Sequence, residues 1–410
     1  MSEARPGQRP LDEALAELLG FASALSDVES VSTFDADGRV LAQDLVSGLH
    51  VPPQDNSSMD GYAVRCADLT QLPVVLPVTQ RIPAGAGAGA APLAPGSAAR
   101  IFTGAPIPAG ANAVVMQEDC ELQDGAVRIK VQPLPGQWIR RAGEDVAIGA
   151  TVLASGDRLT PAALGLSASI GMAALLVRRR PRVALFSTGD ELVMPGDVAP
   201  TDMRPGAIYN SNRFFLRALL LRLGCEVTDL GIVPDRLDAT IEALRGAASQ
   251  HDLILTSGGV SVGEEDHIKP AVQVLGTLAL WQIAIKPGKP FAYGRVHDTH
   301  FIGLPGNPVS SYVTFLLLVR PFLLKLQGVT ELETKSVAAQ AHFDWPRADR
   351  RREFLRVRHN AAGGLELFAN QSSAVLTSAV WGDGLVDNPP GQTIAHGDSV
   401  RFIPFAEVLQ

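Results

Sequence analysis

The sequence RVALFSTGDE, residues 182–191, is an apolar run that ends in a short polar segment. Such a run is typical of a buried strand that ends in a turn. The pattern recurs at DLILTSGG (252–259) and HFIGLPGNP (300–308), and helical patterns lie between these strands at 211–224 and 237–249. Because strands alternate with helices over roughly 150 residues, we expect an α/β domain with a mostly parallel sheet covered by helices.

In an open parallel sheet, ligands bind beyond the carboxyl ends of the strands. Polar loops follow the apolar strands at STGDE (187–191), PDR (234–236), SGGVSVGEED (257–266), KPGKP (286–290) and LPGNPVS (304–310). We therefore expect these loops to meet at one edge of the sheet and to form the functional site. Pro305, Asn307 and Ser310 belong to the last of these loops.

Glycines and lysines in these loops favour an anionic ligand. Gly258 and Gly259, with Ser261 two residues on, form either a backbone cradle for a phosphate or oxyanion, or an ordinary tight turn. Lys286 and Lys289 flank a Pro-Gly pair that restricts the backbone. We interpret these lysines as an anion clamp, although lysines in loops are usually solvated.

Carboxylates share the same edge at Glu191, Asp235 and Asp266. Acidic side chains beside an anion repel it, and a divalent ion would remove that conflict. Mg²⁺ held by carboxylates and bridging phosphate oxygens would suit phosphoryl, nucleotidyl or oxyanion transfer. Each acid taken singly is equally compatible with a helix cap or a surface charge.

The remaining segments predict smaller units around this domain. Leucines at helical spacing predict a helix over 11–26, and short β-like pieces occupy 46–144. The Gly- and Pro-rich stretch 83–96 is either a flexible linker or, since strand-like segments flank it, a loop inside a small β domain. Residues 160–176 predict a helix capped by Thr160, and 335–410 read as short strands and turns.

The composition describes a soluble globular protein. The 410 residues are 46% hydrophobic and 19% charged, with a net charge of −8 and a pI near 5.5, so we expect neither a nucleic-acid nor a membrane-surface partner. Three distant cysteines, with no CxxC, favour a reduced, cytoplasmic protein without a thiolate metal site. The most apolar run we identified, FLRALLLRLG (215–224), is too short to span a bilayer.

The stretch PPQDNSSMDGYAVR (52–65) is dense in turn-forming residues. Asp60 precedes Gly61, and Asp-Gly is a turn dipeptide, so this carboxylate either shapes a turn or serves the chemistry. The sequence has no GxxxxGK[ST] or HExxH motif, and its eight histidines show no metal-ligand spacing. His267, in the EEDH run, is either a metal ligand or an exposed loop histidine.

Taken together, these motifs resemble the molybdopterin molybdenumtransferase family, the metal-inserting enzymes of molybdenum-cofactor synthesis, which are related to the E domain of gephyrin. The resemblance covers nearly the whole chain in the family's order. It rests on DNSSMDGYAVR, RIFTGAPIPAGANAVVMQED, IRRAGEDV, FSTGDEL, IYNSN, TSGGVSVGEEDH, IKPGKPFAYG and GLPGNPVSSY.

The resemblance implies four domains and an elongated homodimer. The domains are an elongated N-terminal domain (1–45 and 145–178), an inserted β-rich domain (46–144), a molybdopterin-binding α/β domain (179–328) and a C-terminal β barrel (329–410). The cleft would lie between the α/β domain of one chain and the inserted domain of its partner. The pterin-adenylylating protein and molybdoenzyme maturation proteins are expected partners.

The implied reaction inserts molybdate into adenylyl-molybdopterin in a Mg²⁺-dependent step that releases AMP. By position, Lys286, Lys289, Pro290 and Ser310 would line the molybdate pocket. Arg351 and Ser372 or Ser373 would contact the oxyanion from the C-terminal domain. The acidic positions for Mg²⁺ or the pyrophosphate step match Asp145, Glu191, Asp235 and Asp266, and Asp60 and Thr103 match positions contributed across the dimer.

Local departures from the family pattern concern electrostatics rather than reaction class: Glu265 and His267 surround Asp266, Arg236 follows Asp235, and Phe214 replaces a frequent tyrosine.

Two other functions stay open. A scaffold protein with the same fold would tolerate loss of the acids and lysines, and adenylylation of the pterin would need the α/β domain alone.

Overall fold

The computed structural model describes residues 8–86, 91–259 and 267–409. Within this part of the chain the strands form a central sheet, a sheet in the region 56–129, a C-terminal sheet and several two-stranded ribbons. The fold is therefore multidomain, with mixed sheets and helices.

The central sheet is mixed. In the described residues its strand order is Gln8–Arg9, Gly276–Ile283, Pro290–Val296, Thr299–Leu304, Leu253–Ser257, Arg182–Thr188 and Glu226–Val233. The last four strands pair in parallel, as the alternation with helices predicts. Strand Pro290–Val296 is antiparallel to both of its neighbours because short connections join these strands. The loops after residues 188, 233, 257, 283 and 304 consequently lie at one edge, as predicted.

Helices cover both faces of this sheet. They are Leu11–Phe21, Ser211–Arg222, Leu237–Ala248, Ile268–Leu275 and a continuous run made of Pro308–Thr314, Phe315–Val319 (a π-helical turn) and Arg320–Leu326. One apolar core includes Leu18, Leu216 and Phe322, and the core on the other face includes Phe186 and Phe301.

The run Pro308–Leu326, and not FLRALLLRLG, is the helix long and apolar enough to cross a membrane among the described residues. Its mean hydropathy is 1.5, and 89% of its most apolar window is buried inside the protein. The apolar side chains of this helix are therefore used in the core.

Tertiary contacts end two helices earlier than their sequences predict. The first helix stops at Phe21 instead of 26, because the chain turns so that the Leu25 N–H can donate to the Leu326 carbonyl at 2.8 Å. The helix predicted over 160–176 is Pro161–Ser169, with the predicted Thr160 cap, since Ala174–Arg178 pairs as a strand with Val28–Ser32.

The region 56–129 forms a six-stranded sheet, counted over the described residues. Its strand order is Ala113–Met116, Gly61–Val64, Ala98–Ile101, Val74–Ile82, Ala126–Ile129 and Cys120–Gln123. The stretch 83–96 connects two of these strands, as the interpretation as a loop requires. Ribbons that pair Leu45–Val46 with Thr151–Leu153 and Asn56–Ser57 with Ile139–Arg140 flank the sheet.

The C-terminal sheet closes on itself. Its strands, in order, are Ile285–Lys286, Arg352–His359, Gly384–Asn388, Ser399–Pro404 and Val337–Gln340, with Leu365–Leu367 beside Arg352–His359. A bridge from Ala341, directly after Val337–Gln340, to Leu365 in the side strand closes the ring, as a barrel requires. The first strand belongs to the KPGKP segment, so this segment connects the α/β and C-terminal domains directly. The predicted domain boundaries remain predictions.

Candidate active site

A cavity of about 640 Å³ lies at the carboxyl edge of the central sheet. The sheet-edge loops that line it contribute Thr188, Glu191, Leu192, Ile208, Tyr209, Asn210, Ser211, Asn212, Ser257, Gly258, Pro290, Pro305, Gly306, Asn307, Pro308 and Ser310, and the C-terminal domain contributes Ala374. Six residues predicted from sequence therefore share one cavity. They are Glu191, Gly258, Pro290, Pro305, Asn307 and Ser310.

Two buried asparagines in the IYNSN motif are functional candidates that sequence reasoning did not select. Asn212 Nδ2 donates to Ser257 Oγ and to the Gly306 carbonyl, both at 2.7 Å, and so ties three loops together. Asn210 caps the helix by accepting from the Arg213 N–H at 3.3 Å, while its Nδ2 has no partner among the described residues. Asn210 is 2% exposed and lines the cavity, so its free donor is available to a ligand. The signal available in the sequence for these candidates was a pair of asparagines beside the start of a helix at the sheet edge.

The glycine pair is less open to an anion than its sequence suggests. Both glycines adopt positive φ, 93° at Gly258 and 67° at Gly259, as a cradle or a tight turn requires. The Gly258 N–H, however, donates to the Leu304 carbonyl at 3.0 Å and continues the sheet. This N–H is therefore not free for a ligand, and Ser261 lies outside the described residues.

The acidic candidates follow neighbouring strands. Glu191 lines the cavity, and its carboxylate folds over Gly189, where an added Cβ would lie 2.5 Å from Glu191 Oε2. Asp235 is half-buried in the next loop, and Asp266 lies outside the described residues. Among the residues described, no three His, Cys, Asp or Glu side chains cluster to hold a metal ion.

Lys286 is engaged by carboxylates from the C-terminal domain. Its Nζ lies 2.9 Å from Glu353 Oε1, 3.4 Å from Asp349 Oδ2 and 5.8 Å from the centroid of the Trp345 ring. Glu353 is only 1% exposed, so the lysine neutralises a carboxylate that would otherwise be buried unpaired. In this structure Lys286 is an interdomain ion pair rather than a free anion clamp.

Lys289 lines a second cavity, of about 240 Å³, with Asp349, Arg350 and Arg351. The Arg351 guanidinium donates to both carboxylate oxygens of Asp349, at 3.0 and 2.8 Å. These hydrogen bonds from Arg351 hold the pKa of Asp349 well below its usual value. Arg351 is therefore committed to Asp349, whereas Lys289 has no ion pair with any described residue.

The arginine beside the predicted Ser372–Ser373 pair is Arg356. Its Nη2 donates to the Ser372 carbonyl at 3.3 Å, its Nη1 to the Phe354 carbonyl at 3.0 Å and its Nε to Ser378 Oγ at 3.1 Å. Arg356 is 1% exposed and has no carboxylate partner among the described residues, so burial lowers its pKa to about 10. The Ser373 carbonyl accepts from the Val309 N–H at 2.9 Å, which docks this loop against the cavity.

Asp60 and Thr103 form a pair in the 56–129 region, away from the cavity lining. Asp60 Oδ1 accepts from the backbone N–H of Thr103 at 2.7 Å and from its hydroxyl at 2.8 Å, and these bonds lower the pKa of Asp60. Asp145 is exposed on a segment bridged to Val51, just before the Asp60 loop. The turn and a chemical role of Asp60 are thus geometrically compatible.

Comparison with known proteins identifies this arrangement. Residues 9–171 match "MoeA N-terminal region (domain I and II)", 184–325 match "Probable molybdopterin binding domain" and 338–405 match "MoeA C-terminal region (domain IV)". The chain is 46% identical to a molybdopterin molybdenumtransferase of Haemophilus influenzae over 78% of each chain. It is 39% identical to molybdopterin molybdenumtransferase 2 of Mycobacterium tuberculosis over 88% of this chain and 90% of that one.

The fold agrees with these sequence relationships. The crystal structure of the molybdopterin biosynthesis moeA protein from Pyrococcus horikoshii OT3 superposes with a TM-score of 0.84 at 30% identity, covering 97% of this chain and 100% of that one. The chain therefore belongs to the molybdopterin molybdenumtransferase family, enzymes of molybdenum-cofactor biosynthesis.

Proposed function

We propose that the enzyme inserts molybdate into adenylyl-molybdopterin, with cleavage of the pyrophosphate bond and release of AMP. The observation that carries this proposal is the polar cavity of about 640 Å³ at the carboxyl edge of the sheet, together with the family relationship. Its volume suits a nucleotide-sized ligand. The Nδ2 of Asn210 is buried and has no partner among the described residues, so it would supply a hydrogen-bond donor for such a ligand.

Catalysis in this proposal is mainly electrostatic. Asn210 and the buried Ser310 would bind and orient the substrate in the cavity. Lys289 forms no ion pair with a described residue. Its charge, and that of Arg356 behind the Ser372 carbonyl, would favour an oxyanion on the C-terminal side. Positive groups fixed before the substrate arrives need no rearrangement as negative charge develops on the phosphate oxygens.

Mg²⁺ fits the chemistry of the donor set, since carboxylate oxygens are the ligands it prefers. Glu191 and Asp235 would hold it from neighbouring loops, with Asp266 as a third candidate. The ion would neutralise the phosphate oxygens and so remove the repulsion between them and the acidic side chains.

A homodimer would complete the site. Asp60 and Thr103 are paired, but they lie outside the lining of the sheet-edge cavity, so we propose that a second subunit in the cytoplasm presents them to it. Asp60→Ala and Lys289→Ala chains would then complement each other. A purified mixed dimer has one intact site of two and should recover about half of wild-type activity, whereas sites contained within one chain would leave it inactive.

The experiment for the reaction measures AMP release from adenylyl-molybdopterin with and without molybdate. We expect molybdate-dependent AMP release by the wild type. The rate should fall at least about 100-fold in Lys289→Ala, because the variant loses a charge-assisted contact in the transition state. Lys335→Ala, an exposed lysine outside the cavities near the sheet edge, is the control. Consumption of ATP with unmodified pterin, or unchanged turnover in Lys289→Ala, would contradict the proposal.

A further inference from the structure

Two arginines stack on one aromatic ring beside Asp60 and Thr103. Arg81 Cζ lies 4.8 Å from the centroid of the Phe102 ring, and Arg100 Cζ lies 4.7 Å from the same ring. Arg81 lies on strand Val74–Ile82 and Arg100 on strand Ala98–Ile101. These two strands are parallel neighbours, and their register places Arg81 opposite Arg100. Like charges directly opposite in a sheet destabilise it, so a structural role alone does not account for this pair.

The two guanidinium groups differ in what they bind. Arg100 donates to the Gly61 carbonyl at 3.2 Å and to Gln117 Oε1 at 2.7 Å, and it also stacks over Tyr62 at 5.2 Å. Its charge acts on Asp60, since Arg100 contributes to the lowered pKa of that carboxylate. Arg100 is therefore fixed by neighbours that partly balance it.

Arg81, in contrast, is exposed and makes no hydrogen bond or ion pair with any residue that the structure describes. The Phe102 ring holds the plane of its guanidinium, which leaves the N–H groups at its edge free. A planar fork of donors in a fixed orientation matches phosphate oxygens. In a chain of net charge −8, this oriented cation has no carboxylate partner among the described residues.

We propose that Arg81, oriented by Phe102, binds a phosphate group of the adenylylated pterin that the partner subunit holds in its sheet-edge cavity. This inference rests on the proposed function and on the proposed homodimer. Arg100 stacks on the same Phe102 ring as Arg81 and its charge acts on Asp60, so a phosphate on Arg81 would lie near the Asp60–Thr103 pair. Arg81 would thus contribute to substrate binding from across the dimer.

Steady-state kinetics of Arg81→Ala and Arg81→Lys test the proposal. We expect Arg81→Ala to raise the KM for adenylyl-molybdopterin about tenfold or more, with kcat within about twofold, since a hydrogen bond to a charged group is lost from both the ground and transition states. Arg81→Lys keeps the charge without the fork and should fall between. Arg128→Ala, an arginine of the same sheet that pairs with Glu121, should leave both constants unchanged.

Calorimetric binding of inorganic diphosphate to the wild type and to Arg81→Ala separates this proposal from the proposed function. Weaker diphosphate binding by Arg81→Ala supports the phosphate contact even if the wild type releases no AMP. A wild type that releases no AMP would refute only the proposed reaction. An unchanged KM and unchanged diphosphate affinity in a folded Arg81→Ala protein would overturn the inference. An equal loss in Arg128→Ala would also overturn it, because the effect would then reflect overall charge.

Discussion

Replacing Arg356 by Met should separate the function of this residue from its contribution to stability. The charged guanidinium is disfavoured by burial, which lowers its pKa to about 10, and this shift corresponds to about 3 kcal/mol. Its three hydrogen bonds to the carbonyls of Phe354 and Ser372 and to Ser378 Oγ offset that penalty, at about 1 kcal/mol each. Methionine removes both the burial penalty and the hydrogen bonds and keeps an apolar side chain, so the change in the free energy of unfolding should be small.

Activity should respond far more strongly than stability. Arg356→Met removes the positive charge behind the Ser372 carbonyl and one anchor of the loop that docks on Val309. We expect the KM for molybdate to rise at least about tenfold, the loss of a favourable interaction of about 1.4 kcal/mol with an anion. The thermal midpoint should move by less than about 5 °C.

The assay is AMP release over a series of molybdate concentrations, with a thermal melt of each variant. Arg358→Met is the matched control, because Arg358 lies on the same strand, stacks on Trp381 and is about half-exposed. Arg356→Lys, which keeps the charge, should retain part of the activity. A stable Arg356→Met enzyme with the wild-type KM for molybdate would refute the electrostatic role, and an unfolded one would assign Arg356 to structure.

Three further outcomes are expected. Gly288→Ala should lower the thermal midpoint and AMP release, since the new Cβ would lie 2.5 Å from Thr314 Oγ1 at a φ of +117°, whereas Gly20→Ala, with open space around it, should lower neither. Burial lowers the pKa of His300 to about 4, below its unfolded value of about 6.5, so stability should rise with pH between these values. His300→Gln should flatten that rise in urea-unfolding midpoints, and an unchanged slope would contradict the assignment. Asn212→Ala should reduce kcat, because the loops that its amide joins lose two hydrogen bonds, and wild-type kinetics would show that this bridge is dispensable.

The strand-end loops could be predicted from sequence because their position follows from local pattern alone. Apolar runs followed by polar turns located Glu191, Pro305 and Ser310 at one edge, and the structure places all three in one cavity. Helix ends could not be predicted in the same way. The first helix ends where the Leu25 N–H finds the Leu326 carbonyl, a partner about 300 residues away in the chain that no local signal reveals.

Arg356, which sequence reasoning did not select, shows a second limit of prediction from sequence. Both arginines lie in the run from Asp349 to His359, and composition does not show which one is buried. An arginine inside a run of apolar strand residues, such as FLRV at 354–357, is the signal that Arg356 is buried. Arg351 instead turns back to Asp349, two residues away, which is a local contact that a surface loop allows.

The pairing of charges also decides which cations are available to an incoming oxyanion. Lys286 would have to leave the buried Glu353, and an unpaired buried carboxylate is strongly destabilising, so recruiting this lysine would cost several kcal/mol. Lys289 and Arg356 have no such bond to break among the described residues. The backbone of Lys286 already pairs with the C-terminal strand beside Glu353, so its ion pair fixes the position of the KPGKP loop. We therefore expect Lys286 to hold the domains together and Lys289 to bind the anion. Lys286→Ala should then cause the larger loss of stability, and Lys289→Ala the larger rise in the KM for molybdate.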